Sequence, residues 1–335
     1  VKHGTLNQPG LEAFLKEMKE KTYGKGDYFV IGEMEDADVH SMQNFISLKN
    51  GYFSCIFEVS HLSLGRKAPN YFWFDEEEWD PDELRDQLLN SQTVLCPDMW
   101  IATFLECHDI PRAADRLLRE EGKNFYGFSM LGMMYLYLWG TPFIYQGQEI
   151  GMENMEFTSM DQIDDISTID EYQVALRAGC SEKEALDAAS AFSRDNARTP
   201  VQWSAEKNAG FTEGEPWLGV NPNYKEINIE SQLMDSDSLL SFYKKLTALR
   251  KAPEYKETLV YGTFAPYQEE RKNLIAYTRN GEKDLLILGN MQAQSQKVSL
   301  PGEVKEVLLN NQKAVEITEK DSMYLEEMIL EGFLD

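Results

Sequence analysis

Three stretches of the chain bring together residue types that can move a proton or hold a charge. Glu33 follows a short apolar run directly, in Val-Ile-Gly-Glu-Met-Glu-Asp-Ala-Asp. A carboxyl in an apolar setting has a raised pKa and can act as general acid and base. A solvated loop carboxylate is the plainer reading. The acidic run Glu33, Glu35, Asp36 and Asp38 lacks the glycine and spacing of an EF-hand calcium loop. In Glu-Cys-His-Asp-Ile-Pro-Arg, Asp109 could stabilise a cationic transition state while His108 hydrogen-bonds the substrate. Equally, Asp109 could cap the helix that follows, with Pro111 in its first turn. Arg194, Asp195 and Arg198 cluster before a proline turn. Their guanidinium forks suit sugar hydroxyls or a carboxylate partner, and a structural ion-pair loop is the alternative. Together the three stretches match the needs of glycoside chemistry: an acid to protonate the glycosidic oxygen and negative charge beside an oxocarbenium-like state. Aromatic rings offer flat faces to a sugar, although most of these aromatics read as core.

Each stretch is expected just beyond the C-terminal end of a parallel strand, the face on which α/β barrels carry catalytic groups. The strand-length apolar runs are Tyr28–Gly32, Tyr52–Val59, Ile101–Leu105 and Pro142–Gln146. Helical patterns lie around them. Leu11, Phe14, Leu15 and Met18 share one face, and further helical stretches start near Asp82, Ala113, Ser181 and Ser238. Ser181 with Glu184 three residues on is a capping-box pattern. Short apolar strands alternating with helices predict a parallel sheet covered on both faces. After about Ala252 the texture changes to 273–279, 284–290, 296–300, 306–310 and 314–318, short β-like runs with an Asn280-Gly281 hairpin signal. The expected organisation is a partial barrel over 1–252 and a small antiparallel β domain, sandwich-like, over 253–335.

Composition narrows the function. The 335 residues are 42% apolar with a net charge of −25, so nucleic acid and anionic lipid are poor partners. Cys55, Cys96, Cys107 and Cys180 form no metal spacing and read as reduced thiols of a cytoplasmic protein. The N-terminus has no signal pattern. The chain carries no charge between Lys123 and Glu149, but Gly140-Thr141-Pro142 divides that run. A buried helix and strand are expected there, not a membrane span.

The sequence resembles the bacterial α-glucosidase and oligo-1,6-glucosidase branch of the α-amylase superfamily. The strings that carry the resemblance are FVIGEM, HDIPR, GTPFIYQGQEIGM, RDNARTPVQW, AGFTEGEPWLGVNPNYKEIN and FYKKLTALRK, in order over roughly 8–252. The tail fits that family's C-terminal β domain more loosely. The resemblance implies an α/β fold: the second half of a (β/α)8 TIM barrel, strands five to eight, followed by a small antiparallel β domain. It implies a retaining glycosidase in which Glu33 is the proton donor, Asp109 the stabilising carboxylate, and His108, Arg198 and Arg194 hold the terminal glucose. No cofactor is implied within these residues, and the family's calcium loop would lie in the first half of the barrel.

The family nucleophile is an Asp in an Arg-x-Asp string ending the fourth strand, and no such string occurs here. The expectation is therefore a truncated chain, inactive alone, of an enzyme that hydrolyses terminal α-glucosyl bonds of short oligosaccharides. A non-catalytic sugar-binding or scaffold remnant is the alternative, and an isomerase or glucosyl transferase would use the same residues. The family usually has Asn at Cys107, Gln at Ile110 and Glu at Gln148. An incomplete barrel would also leave strand edges open, so self-association through them is expected.

Overall fold

The computed structural model describes residues 8–34, 42–65, 72–75, 77–292, 294–312, 316–319 and 322–325. Glu35, Asp36 and Asp38 lie outside the described residues. The four apolar runs become four parallel strands, β1 (Ile31–Gly32), β2 (Cys55–Phe57), β3 (Ile101–Thr103) and β4 (Thr141–Pro142), paired in that order. The register sets Ile31 beside Cys55, Ile56 beside Ile101 and Ala102 beside Thr141. Cys55, Ile56, Ile101 and Ala102 are fully buried, as a sheet covered on both faces requires.

Every strand is shorter than the apolar run that announced it. The fourth starts one residue earlier than expected, at Thr141, and ends at Pro142, which has no N–H to continue a ladder. Phe143 still donates its N–H to Thr103 O at 2.8 Å, but the remainder of Phe143–Gln146 is not strand. Before β4 the chain turns at Gly140 with φ 121°, and a Cβ there would stand 2.2 Å from Ile101 O. Only glycine fits both demands.

The helices follow their local signals. Helix Pro81–Leu95 opens on a capping box of Asp80 and Glu83 with Pro81 at its first position, and buries Leu84, Leu88, Leu89 and Leu95. Helix Glu182–Phe192 carries the box of Ser181 and Glu184. The uncharged run forms helix Phe125–Leu136, started by Asn124, whose side chain accepts from Tyr126 N and Gly127 N. That helix packs on helix Leu239–Lys251, which buries Leu239, Phe242, Tyr243 and Leu246. Among the described residues, no helix is long and apolar enough to cross a membrane. Helix Ala113–Leu117 is shorter than its pattern, because Leu118 turns extended and buries its side chain in the same core. Helix Leu11–Lys21 forms as expected, yet buries no residue and leaves Phe14 72% exposed.

The tail contains two three-stranded antiparallel sheets. One orders β5 (Thr263–Pro266), β6 (Leu274–Asn280) and β7 (Leu285–Asn290). The other orders β8 (Gln296–Ser299), β10 (Ser322–Leu325) and β9 (Glu316–Glu319). The Asn280-Gly281 turn joins β6 to β7 as read, with Arg279 opposite Leu285. Residues 306–310 are not a strand, while Thr263–Pro266 and Ser322–Leu325 are strands that local patterning did not announce. One apolar cluster runs from Leu84, Met130 and Phe242 into Ile275, Tyr277 and Ile287, so the parallel-stranded part and the tail share a core.

Candidate active site

Glu33 directly follows β1 and is exposed. The second carboxylate, Asp109, stands beyond β3 in a turn in which Ile110 N donates to Cys107 O at 3.4 Å. Asp109 does not cap a helix. Helix Ala113–Leu117 has Arg112 at its cap position, and the N–H of Ala113 donates to Glu106 Oε1 at 3.1 Å. Glu106 therefore takes the part that the sequence left open for Asp109, whose carboxylate is free to serve the site.

Three predicted side chains meet at Asp109. His108 Nε2 lies 3.2 Å from Asp109 Oδ2. Arg198 Nη2 donates to Asp109 Oδ1 at 2.9 Å, and Arg194 Nη1 reaches the same oxygen at 3.5 Å. Arg198 also donates from Nε to His108 O at 2.9 Å, which ties the backbone of the pair to the same guanidinium. The Asp109 side chain remains 36% exposed and that of His108 67%, so this cluster faces solvent. The arginines do not arrive on a strand end, as expected, but on the short helix Asp195–Arg198 and its cap residue Arg194, which follow helix Glu182–Phe192.

The sequence missed Asp165. Its side chain is fully buried and accepts from Arg194 Nε at 2.9 Å, from Arg194 Nη2 and from Thr168 Oγ1 at 2.7 Å. Burial works against its charge, but the bonds from Arg194 and Thr168 and the Arg194 charge outweigh it and hold the carboxyl below its usual range. Arg194 thus bridges Asp165 to Asp109. The only local signal at Asp165 was that of a helix cap, which it also provides by accepting from Ser167 N.

The three departures from the family pattern take different places in the structure. Cys107 Sγ accepts from Asp109 N at 3.4 Å, as an asparagine oxygen would in such a turn. Burial pushes its thiol up; the Asp109 N–H and Arg116 oppose this, while the charges of Asp109 and Glu33 add to it. Cys107 thus stands within electrostatic reach of both predicted carboxylates. Ile110 is buried. Gln148 is buried, donating from Nε2 to Tyr135 and Tyr243 hydroxyls at 3.0 Å each, while its buried Oε1 finds no partner among the described residues.

Beneath the turn, buried Arg112 donates to Glu106 Oε2 at 3.0 Å and Gln146 O at 2.8 Å. Glu58, also unforeseen, follows β2 and faces buried His61 Nδ1 at 3.4 Å. Burial holds His61 below its usual value although Glu58 opposes this. Among the described residues no group of three or more His, Cys, Asp or Glu side chains is arranged to hold a metal.

Sequence and fold comparisons place the chain in a known family. The alpha-amylase catalytic-domain model matches residues 1–262. The chain belongs to the alpha-amylase family. It is 34% identical over 320 residues to glucan 1,6-alpha-glucosidase of Streptococcus pneumoniae, covering 94% of this chain and 58% of that protein. It is 33% identical over 312 residues to oligo-1,6-glucosidase of Parageobacillus thermoglucosidasius, covering 91% and 55%. The alpha-amylase fold extends to solved structures. Isomaltulose synthase from Klebsiella sp. LX3 superposes with a TM-score of 0.86 at 30% identity, over 95% of this chain and 57% of that one. Trehalose-6-phosphate hydrolase of Bacillus licheniformis gives 0.85 at 32%, over 96% and 58%. The chain spans little more than half the length of these relatives. Strands β1–β4 are the second half of the family's (β/α)8 barrel, and the antiparallel tail follows it.

Proposed function

We propose that the cluster around Asp109 is the donor and stabilising side of a retaining α-glucosidase centre acting on terminal α-glucosyl bonds of short oligosaccharides, as an oligo-1,6-glucosidase does. The observation that carries this reading is a solvent-facing carboxylate gripped by two guanidiniums and an imidazole, at 2.9, 3.5 and 3.2 Å. Such an anchored anion suits the cationic transition state of glycoside cleavage. Glu33 protonates the leaving oxygen and later, as its carboxylate, deprotonates the attacking water. His108 and Arg198 orient the terminal sugar at Asp109, and Arg194 holds Asp109 against Asp165. Free thiols at all four cysteines are in keeping with a reducing, cytoplasmic setting.

Retention needs a nucleophilic carboxylate about 5 Å from the donor, and no Arg-x-Asp string occurs in the chain. The expected result is glucose binding without turnover of p-nitrophenyl α-glucoside by these 335 residues. Asp109→Asn should weaken glucose binding about tenfold, the effect of a lost charge-assisted hydrogen bond. Hydrolysis by the pure chain that Glu33→Gln abolishes would contradict the inactivity. Absence of glucose binding in calorimetry would overturn the site assignment and favour a scaffold. The isomaltulose synthase likeness supports a second reading, glucosyl transfer; should the chain turn over against that expectation, product analysis on sucrose separates transfer from hydrolysis.

We also infer self-association. Among the described residues β1 and β4 are the sheet's edges, and Ile31 on β1 and Tyr28 and Phe29 just before it are exposed. Open apolar edges recruit further strands. Light scattering at micromolar concentration should report a dimer or larger, and a stable monomer would overturn this.

A further inference from the structure

We propose that Trp217 is a stacking platform for the leaving-group side of a neutral glucan chain, receiving glucosyl units beyond the one held at Asp109. The proposal rests on the glucosidase reading above and assigns the site a second binding position.

Trp217 is 67% exposed, yet its ring is not loose. Its indole N–H donates to Asp164 Oδ2 at 2.8 Å, which fixes the edge of the ring and leaves apolar surface open to solvent. The anchor is itself fixed. The backbone N–H groups of Asp164 and Asp165 both donate to Asp195 Oδ2, at 2.7 and 2.9 Å, and Asp195 is fully buried. From Asp165 the line continues through Arg194 to Asp109. An unbroken set of polar contacts therefore couples the platform to the carboxylate at the reacting sugar. Ile166, next to Asp165 in the chain, adds a further 64% exposed apolar side chain beside this line.

The segment leading to Trp217 is held in a costly conformation. Asn208, Ala209 and Gly210 are consecutive left-handed residues, with φ of 54°, 54° and 67°. Ala209 is fully buried, and its carbonyl accepts from both Trp203 N and Ser204 N, at 2.9 and 3.0 Å. Asn208 Nδ2 donates onward to Thr212 O and Gly214 O, at 3.0 and 2.8 Å. Such strain at non-glycine positions persists only where surrounding bonds overdetermine it, and it concentrates at ligand sites. Here it sets the path of a loop that presents Phe211, 50% exposed, as well as Trp217.

Charge selects the occupant. Asp164 holds the ring edge, and Glu213 and Glu215, four and two residues before Trp217 in the chain, are also exposed in a chain of net charge −25, which disfavours a phosphorylated sugar. A neutral sugar presents C–H faces to an aromatic ring and hydroxyls to carboxylates, and meets both here. With the terminal glucose at Asp109, the rest of an oligosaccharide would run toward Trp217, at the far end of the polar line that begins at that carboxylate.

Calorimetry on the full chain with glucose and with isomaltotriose tests this, using Trp217→Ala and Trp217→Phe. The expected result is isomaltotriose binding about 3- to 10-fold weaker in Trp217→Ala, largely kept in Trp217→Phe, and glucose binding equal in all three. Equal isomaltotriose affinity in all three, with glucose still bound, would overturn the platform and leave the glucosidase reading standing. Failure of the unsubstituted chain to bind either sugar would overturn both.

Discussion

Arg112→Ala is expected to destabilise the fold by about 3–5 kcal/mol, the usual result of stripping one partner from a buried ion pair. Both side chains are essentially inaccessible, and Arg112 Nη1 is 3.0 Å from Glu106 Oε2. Removing the guanidinium leaves a buried carboxylate and the Gln146 carbonyl without their donor. It also removes the Arg112 ring contact, 5.3 Å above Tyr145. The pH dependence follows from Glu106. Burial raises its carboxyl above the usual value even with Arg112 charge and hydrogen bond opposing, so removal of Arg112 raises it further. An acid with a raised folded pKa binds its proton more readily folded than unfolded. Its stabilising share is thus complete below the unfolded value and is lost as pH rises through the folded one. The deficit of Arg112→Ala should therefore be larger at pH 7.5 than at pH 5 in urea titrations. Glu106→Gln added to Arg112→Ala should recover part of it at pH 7.5. Equal deficits at both pH values, or no recovery, would contradict the buried-pair account. Because Arg112 lies directly after Asp109–Pro111, the same variant should also weaken glucose binding.

A comparable loss, about 3–5 kcal/mol, is expected for Arg279→Met, by a different route. Arg279 stands on β6, fully buried, and its guanidinium is caged by carbonyls. It donates to Tyr137 O at 2.7 Å, Leu259 O at 2.9 Å, Gly262 O at 2.8 Å and Val260 O at 3.4 Å. Those carbonyls belong to Tyr137, which ends helix Phe125–Leu136, and to the segment before β5, so one side chain sews the tail to the barrel part. Burial holds its pKa below the ordinary arginine value, with Tyr277 opposing. Methionine matches much of the volume but satisfies none of the carbonyls. Lysine, a point charge without the fork, should recover only part. Urea unfolding followed by tryptophan fluorescence measures this, and a loss below about 1 kcal/mol would contradict the cage.

Much of the architecture was legible because it is specified within a few residues. The capping box at Ser181, the Asn280-Gly281 hairpin and the break at Gly140 are short-range chemistry and stand where they were read; the box at Asp80 is of the same kind, although it was not read. The strings around Glu33, Asp109 and Arg198 belong to the same class, and three of the predicted partners do meet at Asp109. Strand lengths were overestimated because an apolar run reports burial, while a ladder ends where its neighbour stops offering bonds.

What only the tertiary structure decided lies between residues far apart in the chain. Nothing near Asp165 announces that it will grip Arg194, and nothing near Glu106 says that it, rather than Asp109, will accept from the helix at Ala113. Cys107 as a turn acceptor and Arg279 as a cage of carbonyl contacts depend on the backbone that folding brings to them. Trp217 reads locally as one more aromatic for the core, and its exposure follows from a loop held by Ala209 and by Asp164. Sequence by itself determined the four parallel strands, most of the helices and the family, and it named Asp109, His108, Arg194 and Arg198 but not Asp165 or Glu106. Which of those groups pair, and which remain open to a sugar, was decided by packing, because a charge costs too much to bury unless the fold delivers its partner.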